Sequence, residues 1–336
     1  MLFALDPAGA DAPLVTLAAL LRDDAVACGR MIDAQADSKV ELIPRVASHI
    51  LAAGGKRLRP LLTLAAARLC DAAHSDAPHI ALSACIELIH TATLLHDDVV
   101  DASARRRGRA SANALFGSKA PVLVGDFLFA RAFQLMVESD SLRVLRIMAD
   151  ATATIVSGEL LQLDTQNDMA TTDEQYFAVV TGKTAALFAA ACEIGAIAAG
   201  CEDACPALAD YGANLGISFQ LVDDALDYAA DEANLGKSIG DDFREGKVTL
   251  PALIAYRRGA PWERCFWERA IGRAEQHDGD LEQAISLLRA HDAIAATLAQ
   301  ANAFADCACD ALTAFPDTPL RRCLSDVARF AVTRTC

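Results

Sequence analysis

The chain has 336 residues, and 45 acidic against 30 basic residues leave a net charge of −15. A nucleic-acid binder needs a basic excess or a basic face, so nucleic acid is excluded as the main partner. Hydrophobic residues make up 53% and aromatics 6%; Ala and Leu dominate and favour helix, and strand-like β-branched runs are rare, so an all-α fold is expected.

Along the chain, Met1–Leu21 lacks a basic stretch followed by an apolar run, and no secretory signal is expected. No run of ~18 strongly apolar residues goes without polar breaks, so a soluble chain is expected. The 11 cysteines show no paired CxxC spacing. Neither Cys201 with Cys205 nor Cys307 with Cys309 has a second ligand pair nearby, so reduced thiols of a cytoplasmic protein are expected rather than disulfides or zinc. Helices of ten to 25 residues with short breaks account for the whole sequence, in one large helical domain. Gly54-Gly55 leads into Lys56, Arg57 and Arg59, with a helix expected to open at Pro60. Ser75 and Asp76 are candidate caps for a long helix over Pro78–Asp101. Arg105, Arg106 and Arg107 follow it, then Lys183-Thr184 within TGKT, which lacks the earlier glycine and the preceding strand of a P-loop. A further helix runs from Pro206 towards Tyr228, and Lys237 and Lys247 come after it. The segment from Trp262 to Cys336 is helical in pattern but carries no readable motif.

One pattern occurs twice: Asp-Asp-x-x-Asp at Asp97, Asp98 and Asp101, and again at Asp223, Asp224 and Asp227. On a helix, residues three and four apart share a face. His90, Leu94, Asp97 and Asp101 therefore align, with Asp98 at the edge, and Gln220 aligns with the second set. Gly212 and Gly216 precede that set and leave room for a ligand or a neighbouring backbone. A single such acidic pair is usually a solvated face. Here both sets are embedded in apolar sequence, and acidic triplets on buried helices need a cation or other partners. Mg²⁺ fits, because it takes oxygen ligands from one or two carboxylates together with substrate phosphates. Each Lys or Arg alone reads as a solvated charge. Together with two acidic sites they describe a pocket for two diphosphates.

At these residues the chain resembles the trans-type polyprenyl diphosphate synthases. The matching stretches are GGKRLRP, LIHTATLLHDDVVD, RRG, VGDFLFARAF, GKT, FQLVDDALDY and GKSIGDD, in the family's order over roughly residues 50 to 255. The resemblance implies a single helical bundle of the isoprenoid synthase type with a central active-site cavity, acting as a homodimer. It implies Asp97 and Asp101 as ligands of two Mg²⁺ ions on the allylic diphosphate and Asp223 as ligand of a third, with Asp98, Asp224 and Asp227 in support. Arg106, Lys183 and Lys237 would contact the allylic diphosphate. Lys56, Arg59, His90 and Arg107 would hold isopentenyl diphosphate. Thr184 and Gln220 would border the developing cation, with Lys247 nearby. Ala110, expected with RRG in a loop, stands where many relatives carry proline.

The implied reaction is ionisation of the allylic C–O bond, attack by the isopentenyl double bond, and proton loss to the departed diphosphate. Short-chain members carry a bulky aromatic one turn before the first acidic set. Here Thr93 and Ala92 are small, and a tail could pass Ile89 and Ile86 along a helix of ~30 Å. Octaprenyl to decaprenyl products, of the kind quinones use, are therefore expected, with weak membrane association through the product. Phe127, Phe133 and Met136 are candidates for the tunnel floor. A terpene cyclase of the same fold would lack the second diphosphate site. A non-catalytic subunit of a heteromeric synthase would have eroded aspartates. A His-Asp phosphohydrolase, suggested only by His96-Asp97, would need further histidine ligands.

Overall fold

The computed structural model describes residues 12–53, 55–70, 78–106, 108–229 and 239–333. Lys237, Arg107, Gly54, Ser75 and Asp76 lie outside the described residues. The fold is all-α. In chain order the first helices are α1 (Ala12–Leu20), α2 (Arg22–Ala36), α3 (Leu42–Ala52), α4 (Leu58–Leu69), α5 (His79–Val100), α6 (Ala112–Phe116) and α7 (Lys119–Glu138). Then come α8 (Leu142–Thr165), α9 (Asp173–Val180), α10 (Ala186–Ala198) and α11 (Cys205–Ala229). The last six are α12 (Asp241–Glu245), α13 (Leu250–Arg258), α14 (Pro261–Trp267), α15 (Asp280–Ala290), α16 (Ala293–Ala311) and α17 (Pro319–Thr333). The chain forms two compact units, one of residues 1–150, 187–212 and 311–327, the other of residues 151–186, 213–310 and 328–336.

In the first unit α5 is the central element, packed against α2, α4 and α7. It contains no Gly or Pro, so nothing interrupts its hydrogen-bond ladder, and Leu82, Ile86, Ile89 and Leu95 are fully buried along it. It stops where Ala102 turns to φ +48, a left-handed residue that ends the helical ladder. Helix–helix approaches are closest at glycine. A Cβ on Gly195 of α10 would sit 2.4 Å from the Thr63 carbonyl oxygen of α4, so α10 and α4 meet backbone to backbone. Arg68 forks onto Asp24, with both N–O distances 2.6 Å, tying α4 to α2.

The second unit carries two apolar clusters. One gathers Tyr228, Phe243, Trp267 and Leu288, and the other gathers Tyr176, Leu221, Leu253 and Ala305. Helix α9 begins with a capping box between Thr172 and Gln175. The segment after Trp262 is helical as its pattern implies, and its helices α15 and α16 supply part of these cores.

Three local expectations need correcting. Pro60 lies third in α4, not first; the first turn has no intrahelical N–H partner to lose, so proline is tolerated there. Helix α5 is preceded directly by Pro78, with no side-chain cap. The arginine segment, expected as a loop, is a two-stranded hairpin of Arg105–Arg106 with Arg109–Ala110, turning at Gly108 with φ +77. Among the described residues the ten cysteines form no disulfide. Two helical runs, Lys119–Glu138 and Asp173–Ala198, are long and apolar enough by composition to cross a membrane, although large parts of both are buried inside the protein.

Candidate active site

In the first unit the end of α5 carries the first acidic set. Asp98 is fully buried. Its Oδ1 accepts from Arg106 Nε at 2.7 Å, and its main-chain carbonyl accepts from Asn113 Nδ2 at 2.8 Å. Its Oδ2 is buried without a hydrogen-bond partner. A buried carboxylate oxygen left this way is costly unless a cation or donor reaches it. Asp97 is half-buried and Asp101 exposed, one turn apart. The hairpin bearing Arg106 is pinned to α3: His49 Nε2 donates to the Ala110 carbonyl at 2.8 Å, and Arg109 Nη1 donates to the Ala52 carbonyl at 3.1 Å.

Also in the first unit, Arg59 Nη1 lies 3.0 Å from His90 Nε2. Arginine has no acceptor, so His90 accepts at Nε2 and its proton resides on Nδ1. The Arg59 guanidinium stacks over the Phe188 ring, 4.4 Å from its centroid. Lys56 is half-buried just ahead of α4. Gly212 serves the backbone and not a ligand, since its Cβ would meet the Phe188 carbonyl oxygen at 2.4 Å.

The same unit holds the residues expected to set chain length. Ile86, Ile89 and Ala92 are fully buried, whereas Thr93 is half-buried with its hydroxyl donating to the His90 carbonyl at 2.8 Å. Met136 is fully buried, but Phe133 is 42% exposed, and Phe127 is half-buried under the Arg131 guanidinium at 5.2 Å. His96, fitted into the space left by Gly125, donates to the Val122 carbonyl at 3.1 Å and stacks on Phe129.

In the second unit, Lys183 and Thr184 sit on a π-helical turn, Thr181–Ala185, between α9 and α10. Such turns re-aim side chains and recur at functional sites. The turn rests directly on α8, because a Cβ on Gly158 would meet Lys183 N at 2.7 Å and one on Gly182 would meet Gly158 Cα at 2.9 Å. Lys183 Nζ contacts Glu159 Oε1 at 2.7 Å and Gln162 Oε1 at 2.8 Å. Thr184 Oγ1 donates to Gln220 Oε1 at 2.8 Å, and Gln220 Nε2 donates to Asp224 Oδ1 at 2.8 Å. The other Asp224 oxygen accepts from Tyr176 Oη at 2.6 Å.

Burial pushes the Asp224 carboxyl up to about 6, against the hydrogen bonds from Tyr176 and Gln220 that lower it and with repulsion from Asp223 and Asp227. Burial likewise raises Asp242, and the Asp227 and Asp224 charges add to it. Asp227 accepts from the backbone N–H groups of Asp241 at 3.2 Å and Asp242 at 3.1 Å, so it caps α12. Asp223 is half-buried. Lys247 pairs with Glu245 at 2.7 Å. Gln162, Tyr176, Lys183, Thr184, Gln220, Asp224 and Lys247 line a cavity of about 110 Å³.

The donor set at both acidic turns is oxygen only, and the Asp98 Oδ2 atom lacks a partner, which fits a hard cation. Among the described residues no three His, Cys, Asp or Glu side chains converge into a closed metal cage; Mg²⁺ sites are commonly completed by substrate phosphate and water. Sequence reasoning missed Glu159, Gln162, Tyr176, Phe188 and Asn113. None lies in a local motif, and each acts across at least 15 residues of sequence.

Residues 40–288 match the polyprenyl synthetase family. The chain is 46% identical over 303 residues to the octaprenyl diphosphate synthase of Escherichia coli (strain K12), covering 89% of this chain and 92% of that one. Among solved structures it is similar to a polyprenyl synthase from Caulobacter crescentus CB15, complexed with calcium and isoprenyl diphosphate. That likeness has a TM-score of 0.92 at 50% identity, covering 96% of this chain and 98% of that one. A decaprenyl diphosphate synthase from Rhodobacter capsulatus matches at TM-score 0.91 and 48% identity, covering 96% and 99%.

Proposed function

We propose, since the chain belongs to the polyprenyl synthetase family and is a polyprenyl diphosphate synthase, that it condenses isopentenyl diphosphate head-to-tail with an allylic diphosphate such as farnesyl diphosphate. The product is a long-chain all-trans polyprenyl diphosphate of octaprenyl to decaprenyl length, suited to quinone side chains. The observation that carries condensation over cyclisation is the Arg59–His90 pair. It offers a second diphosphate a forked cation on α4.

Asp97, Asp101 and Asp223 would hold Mg²⁺, roughly three ions in all, with two carboxylates at the end of α5 and one on α11. Bound Mg²⁺ supplies positive charge that stabilises a departing diphosphate. Asp98, Asp224 and Asp227 support these ligands: Asp98 anchors Arg106, Asp224 orients Gln220, and Asp227 caps α12. Arg106, Lys183 and Lys237 bind the allylic diphosphate, and Lys56, Arg59, His90 and Arg107 bind isopentenyl diphosphate. Thr184 spends its proton on Gln220, and Gln220 spends an N–H on Asp224. The Thr184 lone pairs are thereby left for a developing cation, with Lys247 nearby. The departed diphosphate takes the proton that restores the alkene. With both substrates bound the site must be dry, because water would otherwise trap the cation.

The product tail passes Thr93 and Ala92 and continues beside Ile89. On α8, Leu142, Val156, Leu160 and Leu163 are exposed on one face, and a second copy of the chain covers that face in a homodimer; Leu160→Glu is expected to yield monomer in light scattering. The metal assignment is tested with Asp97→Ala and Asp223→Ala, each expected to slow isopentenyl transfer on the order of 10³-fold or more. Near-normal turnover in both variants would overturn it.

A further inference from the structure

We propose that Phe188 is a positioning residue for isopentenyl diphosphate, its ring face holding the Arg59 guanidinium against His90. The inference rests on the assignment of Arg59 as a ligand of that substrate.

The ring is 1% exposed and its centroid lies 4.4 Å from the guanidinium carbon. A cation over a desolvated aromatic face is attracted by the ring quadrupole more strongly than over an exposed one. Arginine otherwise carries large rotamer freedom, which substrate binding would have to remove. Here one edge of the fork is engaged by His90 Nε2 and one face by Phe188. The guanidinium plane is thus set before the diphosphate arrives, and ordering it costs less on binding.

The platform itself is rigid. Gly212 lets α11 ride on the Phe188 carbonyl oxygen, where a Cβ would stand at only 2.4 Å. At the other end of α10, Gly195 meets the Thr63 carbonyl oxygen of α4 in the same way. Since α4 also carries Arg59, the Gly195 contact seats the helix of the ring directly on the helix of the guanidinium, and the Gly212 contact holds the Phe188 backbone from its other side. A leucine at 188 would fill similar volume but present no quadrupole.

The test uses the full-length protein. Phenylalanine at 188 is replaced by its mono-, di- and trifluoro analogues, which weaken the quadrupole stepwise at nearly constant shape. Calorimetry gives the Kd for isopentenyl diphosphate, steady-state kinetics give the KM for farnesyl diphosphate, and thermal melting reports folding. The Kd for isopentenyl diphosphate is expected to rise with each fluorine, and Phe188→Leu to raise it roughly three- to thirtyfold. The KM for farnesyl diphosphate and the Tm stay near the parent values. Arg59→Lys, which keeps the charge but loses the fork, is expected to weaken isopentenyl diphosphate binding and to flatten the fluorine series. A flat series in the parent, with Arg59→Lys still impaired, overturns the Phe188 proposal alone. Equal loss for both substrates overturns it as well, since that marks a merely structural role. Unchanged binding in Arg59→Lys overturns the assignment of Arg59, and the proposal with it.

Discussion

Replacing Gly158 by alanine is expected to impair catalysis far more than folding. The new Cβ would lie 2.7 Å from Lys183 N and 2.9 Å from the Gly182 carbonyl carbon. Both are backbone atoms, so no side-chain rotation relieves the overlap. Ordinary contact needs ~3.5 Å, and the π-helical turn must therefore retreat by about 0.8 Å. Overpacking of this kind costs about 1–3 kcal/mol. Alanine in mid-helix returns about 0.5–1 kcal/mol through its better helix propensity, so the net loss of stability is small. The retreat, however, moves the backbone of Lys183 and Thr184 together. Misplacement of a binding group by ~1 Å can cost on the order of 10²-fold in rate. The assay compares kcat/KM for farnesyl diphosphate, at saturating isopentenyl diphosphate, with the melting temperature of the same preparation. A drop of roughly 30- to 100-fold with a Tm within a few degrees of the parent is expected. Parent-like kcat/KM would show that the turn's seat on α8 does not position Lys183, and would refute the reasoning.

Other outcomes are open to measurement. Thr93→Phe, at a half-buried position one turn before Asp97, is expected to shorten the product while leaving the first condensation intact; unchanged product length by chromatography would contradict the tail path. Ala92→Phe is a poorer probe, because Ala92 is fully buried and overpacking would confound the result. His79 is fully buried, and burial lowers it below its ordinary value of 6.5, with the Asp24 carboxylate 3.6 Å away opposing the shift. The unfolded chain then binds the proton more readily than the folded one. Stability from this group is present above that ordinary value and is lost as pH falls through the lowered one. The raised Asp224 and Asp242 carboxyls act in the opposite sense over the same window, so the His79 contribution is read as a difference: as pH falls from about 7.5 to about 5.5, the urea midpoint of His79→Leu is expected to rise relative to that of the parent. An identical pH dependence in the variant would contradict this account.

The parts legible in sequence are those with local causes. Helix α5 reads clearly because a run free of Gly and Pro ends in the first acidic set, and α11 because Pro206 stands at its second position and the second set near its end. The acidic residues and Lys183-Thr184 announce themselves by spacing and composition. What could not be read depends on distant partners. Gly212 was open to either a ligand or a backbone, and only the packing of α10 decides for the Phe188 carbonyl. Asp224 looks like any member of its triplet until Tyr176, 48 residues away, is seen to bond its second oxygen. Glu159 and Gln162 read as ordinary polar positions on a helix, yet they hold the Lys183 ammonium. The π-helical turn has no sequence mark of its own, and the exposure of Phe133 is set by packing, not by hydropathy.

The most direct test of the central claim is incubation of the purified protein with Mg²⁺, farnesyl diphosphate and labelled isopentenyl diphosphate, followed by chromatographic sizing of the dephosphorylated products. A ladder ending in the octaprenyl-to-decaprenyl range and abolished by EDTA is the predicted result. Products that stop at the geranylgeranyl stage would contradict the open path beside Thr93, and an absence of any incorporation would contradict the proposed condensation itself.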